Sequence, residues 1–221
     1  MARISNLLQV AIATGREPSD VCHFAQLLGL NGPQISDNGA MILDPLSGAP
    51  IWNSPLGSHL TAKIIENLPE FAGNFMGTHT GGTINSLADA AGINLTRISV
   101  LDLDETAADF MVADFAGAIN ADVVKAYLPY NGLWAVDFTG KGVNKGLGAR
   151  QLSQMVGADP LQIIAAGDSY NDLPLFKVAG TCVAMETAPD ELKDMADFIA
   201  PSAEEDGLAI AIDDFLLPLL S

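Results

Sequence analysis

Basic residues are scarce. Ten lysines and arginines stand against 27 aspartates and glutamates in 221 residues, a formal charge of −17. A surface of that sign repels polyphosphate backbones, which argues against nucleic acid as a partner. An anionic small molecule would need a metal ion or a well-placed lysine to offset the repulsion. Cysteine is nearly absent: Cys22 and Cys182 lie far apart and match no metal-ligand spacing, so reduced, buried thiols and a cytoplasmic location are expected. The three histidines, His23, His59 and His79, show no ligand spacing, and none is given a role. No apolar run approaches a membrane span. The opening "MARISNLLQVAIATGR" has too short an apolar stretch for a signal peptide, with no small-residue cleavage site after it. These absences lead us to expect a soluble, intracellular protein with no membrane partner.

Apolar residues make up 49% of the chain, enough for a substantial core. "LQVAIATG" reads as a buried strand closed by a glycine turn. "SDVCHFAQLLGL" has helical spacing, with Ser19 or Asp20 as cap and Gly29 as stop. "QISDNGAMIL" places Asn38-Gly39 between apolar flanks, a hairpin signal. From about Pro50 to Gly140 another unit alternates a helix ("LTAKIIENL"), a strand ("TRISVLDL"), a helix ("TAADFMVADFAGAI") and a hairpin around Asn131-Gly132. From Gly142 a βα pattern resumes through the helix "KGLGARQLSQMVG", the strand "QIIAAG", a short helix, the strand "CVAM", the helix "APDELKDMADF" and the strand "FIAP", before a last helix. Alternating strands and helices predict an α/β fold with a doubly wound, Rossmann-like parallel sheet covered on both faces.

The stretch "IIAAGDSYNDLPLF" carries the strongest chemistry. A buried strand delivers Gly167 and Asp168 to its C-terminal end, where ligands bind in open α/β sheets. Asp168, Asn171 and Asp172 then cluster in one turn, and hard oxygen donors at a strand end suit Mg²⁺. A helix cap needs only one such side chain, not three. "AIATGR" ends a strand in the same way: the Thr14 hydroxyl, the bare backbone of Gly15 and the next helix N-terminus could cradle a phosphate, or form an ordinary turn. Lys145 stands just before a helix, where the macrodipole disfavours a cation. It either serves an anion or is a solvated surface lysine.

In this order the stretches resemble the haloacid dehalogenase superfamily of Mg²⁺-dependent phosphatases, above all the Cof-like and phosphoglycolate or sugar phosphatases with a cap inserted between the second and third motifs. "ATGR" is similar to the second motif, "GVNKG" to the third and "GDSYND" to the fourth; "SDNGA" and the stretch from Val183 to Ala209 also resemble those enzymes. The resemblance implies a core of residues 1–49 and 141–221 and an α+β cap of residues 50–140. It implies catalytic roles for Lys145 and Thr14, with Lys145 neutralising the transition state. Thr14, Gly15, Arg16, Asn38, Lys145 and Asn171 would contact a small phosphorylated metabolite, with Asn171 either touching the phosphate or orienting Lys145, and Asp168 and Asp172 would hold Mg²⁺.

The family's first motif, an apolar strand ending in Asp-x-Asp-Gly-Thr ahead of "ATGR", does not appear. Nine residues precede Val10, none of them acidic. "DLDET" (Asp102 to Thr106) spells something close to it but follows the second motif, carries Glu105 in place of glycine, and already reads as a strand followed by a helix. We therefore expect "DLDET" to be cap structure and the core to lack its central strand. The strands "QVAIAT" and "QIIAAG" must then pair directly or keep unpaired backbone. The expected function is phosphomonoester hydrolysis by an N-terminally shortened reading of a longer phosphatase. The alternatives are a homologue that binds Mg²⁺ and a phosphorylated metabolite without turnover, and catalysis through Asp102 after rearrangement.

Overall fold

A computed structural model describes residues 4, 7–68, 74–90, 92–128 and 130–220. Its strands fall into three sheets. In the first, β1 (Gln34–Ser36) and β2 (Met41–Leu43) form an antiparallel hairpin around a tight turn at Asp37–Gly39, and β3 (Pro50–Asn53) pairs with β2. The hairpin expected at Asn38-Gly39 is present. Pro50–Asn53, placed by the sequence at the start of the inserted unit, instead extends this core sheet.

The second sheet is antiparallel, with β4 (Asn74–His79), β5 (Gly82–Ile84), β6 (Arg97–Leu103), β7 (Ala121–Leu128) and β8 (Leu133–Gly140) in the order β5-β4-β6-β8-β7. "HTGGT" is the β4–β5 turn. One face carries the apolar alternate residues Ile98, Val100, Val136 and Phe138, which pack on α2 (Ser58–Asn67) and α3 (Glu105–Phe115) through Ile64, Met111 and Phe115. Phe115 meets Phe138 edge-on at 4.9 Å between centroids.

The third sheet is parallel: β9 (Ile164–Gly167), β10 (Thr181–Met185) and β11 (Phe198–Ala200), in the order β11-β10-β9. Helices cover both of its faces. α4 (Lys145–Val156), α5 (Leu173–Phe176) and α6 (Asp190–Lys193) share one cluster with Ile35 and Ile42 of the first sheet. α7 (Gly207–Ala211) continues through a π-helical turn at Ile212–Leu216 into α8 (Leu217–Leu219), and this helix packs on Val183 and Ala200 from the other side. The predicted helix over 188–198 is cut to α6, because the Asp197 carboxylate accepts the Cys182 N–H at 2.8 Å and draws the chain towards β11.

Three expectations need correction. α1 (Pro18–Leu27) begins one residue ahead of Ser19, with Pro18 in its first turn and Glu17 as the flanking residue, and neither Ser19 nor Asp20 caps it. The predicted strand ending at Gly15 is an extended segment with a single parallel bridge, Ala13 to Ile35. The Ile12 N–H is taken by the Gln34 side chain at 2.7 Å, so the ladder stops there. No ladder joins Val10–Thr14 to β9 among the described residues, and the core is two sheets with α4 packed across them. Of the two thiols, Cys182 is buried and pushed up to about 11 by burial and by Asp197, whereas Cys22 is half-buried rather than buried.

Two glycines with left-handed backbone differ in what surrounds them. Gly39 has φ +96°, and a Cβ there would lie 2.0 Å from the Asn144 carbonyl oxygen. Gly29, at φ +69°, has nothing within 4 Å. Gly39→Ala should destabilise the chain by about 2–5 kcal/mol through strain and overlap together. Gly29→Ala should cost only about 1–2 kcal/mol of left-handed backbone strain. Urea unfolding of the two variants reads the difference; equal losses would contradict the packing at Gly39.

Candidate functional site

β9 ends at Gly167, where a Cβ would come within 2.7 Å of the Asp172 side chain. That bare backbone lets Asp172 fold back beneath the strand end. Its Oδ2 accepts the N–H groups of Asp168 (3.0 Å) and Ser169 (3.1 Å), and its Oδ1 accepts from Lys145 Nζ at 2.6 Å. Lys145 is the first residue of α4 and is only 7% exposed. A cation at a helix N-terminus is disfavoured by about 0.3–1 kcal/mol. Here Asp172 answers the charge, while Asn144 caps the helix by accepting the Leu147 N–H at 3.1 Å. α4 can come this close because Gly146 faces the Pro174 carbonyl, which a Cβ would approach to 2.2 Å.

Asn171 accepts from Lys145 Nζ at 2.9 Å and from the Ser169 hydroxyl at 2.6 Å, and donates to Asn38 Oδ1 at 3.2 Å. Asn38 in turn donates its backbone N–H to the Thr14 carbonyl at 2.9 Å. Gly15 lies against the Asn38 amide, 2.9 Å being the distance its missing Cβ would reach. The Thr14 hydroxyl accepts the Arg16 N–H at 3.2 Å, which leaves its own proton free to donate. Thr14, Gly15, Asn38, Lys145, Asn171 and Asp172 are therefore brought into one contiguous cluster. Arg16 joins it only through its backbone; its guanidinium pairs with Asp20 at 3.0 Å and lies 5.2 Å over the Phe24 ring. A cleft of about 300 Å³ opens beside the cluster, lined among others by Asn38, Val124, Thr139, Lys141, Lys145 and Asn171.

Asp168 stands at the edge of the cluster. Loss of hydration first, and the charge of Asp172 second, hold its carboxyl above the ordinary range, with Lys145 pulling the other way. Two acids pressed together in this way suit a divalent cation. Among the described residues no three of His, Cys, Asp and Glu gather into a closed metal cage. Asp168 and the lone pairs that Asp172 does not give to Lys145 or to the backbone would offer hard carboxylate oxygens of the kind that suits Mg²⁺.

"DLDET" does structural work. Asp104 caps α3 by accepting the Ala107 N–H at 2.8 Å, and Glu105 pairs with Lys125 at 3.2 Å. Asp102 has φ +60° and accepts from the side-chain amides of Asn74 (2.5 Å) and Asn131 (2.6 Å), tying β4 and the β7–β8 turn to the end of β6.

One further group was not singled out along the chain. Arg97, at the start of β6, is buried with its Nε 3.3 Å from Asp37 and its Nη1 3.2 Å from Asp137 of β8. The Ser99 and Thr96 hydroxyls donate to Asp137 and Asp37 at 2.5 and 2.9 Å. Burial raises the Asp37 pKa, although Arg97 draws it down. Asp137 also accepts from Asn38 Nδ2 at 2.6 Å, which joins this group to the cluster around Lys145. A single acid inside the apolar strand "LWAVDFT" was the available signal, but its partners come from distant segments.

Comparison with known proteins follows the same outline. A family model described as haloacid dehalogenase-like hydrolase matches residues 3–88 and 78–212. The chain is similar to a 5-amino-6-(5-phospho-D-ribitylamino)uracil phosphatase of Bacillus subtilis, at 25% identity over 230 residues, 93% of this chain and 84% of that one. It is 36% identical over 87 residues to a phosphoglycolate phosphatase of Methanothermobacter thermautotrophicus, 39% of each chain. Among solved structures, a haloacid dehalogenase-like hydrolase from B. subtilis matches with a TM-score of 0.82 at 18% identity, over 97% of this chain and 90% of that one. A sugar phosphatase of HAD subclass IIB matches with a TM-score of 0.78 at 18% identity, over 97% and 88%. The fold is shared throughout these matches, and with the family model spanning most of its length, the chain belongs to the haloacid dehalogenase-like hydrolases.

Proposed function

We propose that the chain is a Mg²⁺-dependent phosphomonoester hydrolase acting on a small phosphorylated metabolite in the cytoplasm. The observation that carries this reading is the convergence of Lys145, Asn171 and Asp172 from two separate stretches into one bonded cluster beside Thr14 and Asn38. Lys145 and the Thr14 hydroxyl would bind phosphate oxygens and hold the charge that builds in the transition state. Asp168 and Asp172 would hold Mg²⁺, which supplies Lewis-acid stabilisation of the transferring phosphoryl group. A carboxylate would attack phosphorus, the alcohol would leave, and water would hydrolyse the acyl phosphate.

The antiparallel sheet with α2 and α3 would be the cap that selects the substrate. Its basic residues are already engaged: Arg97 by Asp37 and Asp137, Lys125 by Glu105 and Asp109, and Lys63 by the Ala118 carbonyl. With Arg97 and Lys125 paired to acids, little positive charge remains there to attract a polyanion, so a phosphorylated sugar or small acid suits it better. This agrees with the small phosphorylated compounds for which the curated relatives are named.

One observation favours a second reading, binding without turnover. The other acids that touch the cluster, Asp37 and Asp137, are occupied by Arg97, Thr96, Ser99 and Asn38, so neither is placed as a nucleophile. β9 and Val10–Thr14 each have one edge without backbone partners among the described residues. We propose that an acidic strand seated there would complete a catalytic site.

Release of inorganic phosphate from p-nitrophenyl phosphate with Mg²⁺, alongside calorimetric titration with inorganic phosphate, separates the readings. Release supports the hydrolase, and binding without release supports the non-catalytic reading. No binding of phosphate would defeat both.

Asp168→Asn should weaken Mg²⁺ binding by about tenfold or more while the chain stays folded, since among the described residues no other residue is seen to hydrogen-bond that carboxylate. Unchanged Mg²⁺ affinity would remove Asp168 from the metal site. The folded chain holds the Asp168 proton more tightly than an unfolded one. Ionising it therefore takes stability away as pH rises from the ordinary aspartate range through the raised value. Without metal, Asp168→Asn should lose that pH dependence and melt no lower than the parent at neutral pH.

A further inference from the structure

We infer that Asp137, outside the phosphate cluster, is a positioning residue for Lys145, acting through the side-chain amides of Asn38 and Asn171. Asp137 sits on β8 and offers only acceptors when ionised. Its Oδ1 takes the Ser99 hydroxyl at 2.5 Å and Arg97 Nη1 at 3.2 Å; its Oδ2 takes Asn38 Nδ2 at 2.6 Å. Asn38 must therefore turn its amide nitrogen towards Asp137 and its oxygen towards Asn171, whose Nδ2 donates to it at 3.2 Å. That contact turns the Asn171 oxygen towards Lys145 Nζ, 2.9 Å away. An ammonium has donors only. A pure acceptor at one end and a pure donor at the other demand the same orientation of both amides, so the direction of the chain is forced.

The surroundings leave the amides little freedom. Asn38 is 4% exposed and, like Asp37, adopts a left-handed backbone (φ 53° and 51°). Strained backbone of this kind persists only where its neighbours over-determine it. Here they include the Asn38 N–H on the Thr14 carbonyl at 2.9 Å and the Asp37 N–H on the Arg16 carbonyl at 3.1 Å. Gly15 closes one side of the Asn38 amide. Asp137 is anchored in turn by Arg97, whose Nη2 is buried without a hydrogen-bond partner among the described residues. The antiparallel sheet thereby determines which atom of Asn171 the lysine meets. The consequence for phosphate binding rests on the reading of Lys145 given above, whereas the orientation of the amides does not.

The test is Asp137→Asn, which keeps the shape and adds a donor. If that donor faces Asn38, donor meets donor, and relief comes from turning Asn38 and then Asn171, bringing an amide NH₂ against the Lys145 ammonium. The ¹H–¹⁵N signals of the Asn38 and Asn171 side-chain amides should both move, and affinity for inorganic phosphate with Mg²⁺ present should fall about tenfold or more. Asn38→Ala cuts the chain while sparing Asp137 and Arg97. It should move the Asn171 signal and weaken phosphate binding by itself, and adding Asp137→Asn to it should bring little further loss. An Asn171 signal that stays put in a folded Asp137→Asn chain, or losses that simply add, would overturn the inference. Should Asp137→Asn fail to fold, Asn38→Ala decides: an unmoved Asn171 signal sinks the relay. A parent chain that binds no phosphate would defeat the phosphate-site reading, while moved amide signals would still uphold the orientation.

Discussion

The buried Arg97 guanidinium between Asp37 and Asp137 is the constraint on which the site depends. Its two carboxylates come from the turn after β1 and from β8, so the ion group joins the antiparallel sheet to the core sheet. A buried charge is tolerated only when paired, and removing one partner from such a group typically costs about 3–5 kcal/mol because the other is left stranded. Two acids share one base here. The imbalance shows in Asp37, which is held with Arg97 and the Thr96 hydroxyl and whose pKa burial nevertheless raises. A group of this kind buys geometry more than stability. Through Asn38 it ties the sheet to the residues around Lys145.

The core tolerates its division because α4 packs on both halves. Gly148 lies against Ile35 and Gly39, and Gly146 lies against the Pro174 carbonyl. These contacts press the start of one helix between the first sheet and the turn after β9. Lys145 arrives there against the preference of the helix dipole, and the Asp172 carboxylate, folded back under the strand end, makes the position tolerable. The glycines do this by what they lack, since a single methyl group at any of them would meet a neighbouring atom.

Much of this was legible along the chain. "GDSYND", "ATGR" and "NKG" each sit at the end of an apolar run or the start of a helical one, and local pattern suffices to find such places. Turn chemistry at Asn38-Gly39 and Asn131-Gly132 announced both hairpins. "DLDET" reads along the chain as the end of a strand and the start of a helix, as the structure has it; that Asp104 caps α3 is visible only in the structure. The failures share a cause. Val10–Thr14 has the composition of a strand but a ladder with little more than one bridge, since strand pairing is decided by neighbours and not by the segment itself. Ser19 and Asp20 fall inside the helix, because it opens at Pro18 with Glu17 as the flanking residue. Pro50–Asn53 joined the core sheet because β2 offered it an edge.

The sequence by itself determined the class of the fold, the three local motifs and the sign of the protein's charge. Each of these is a property of neighbouring residues or of composition, and needs no knowledge of what lies across the core. Only the tertiary structure decided that Arg97 is an internal ion partner and no surface cation, that Asp37 and Asp137 are occupied, and that the amides of Asn38 and Asn171 point one way. These depend on contacts between residues 26 to 133 positions apart, and such contacts exist only once the sheets have packed.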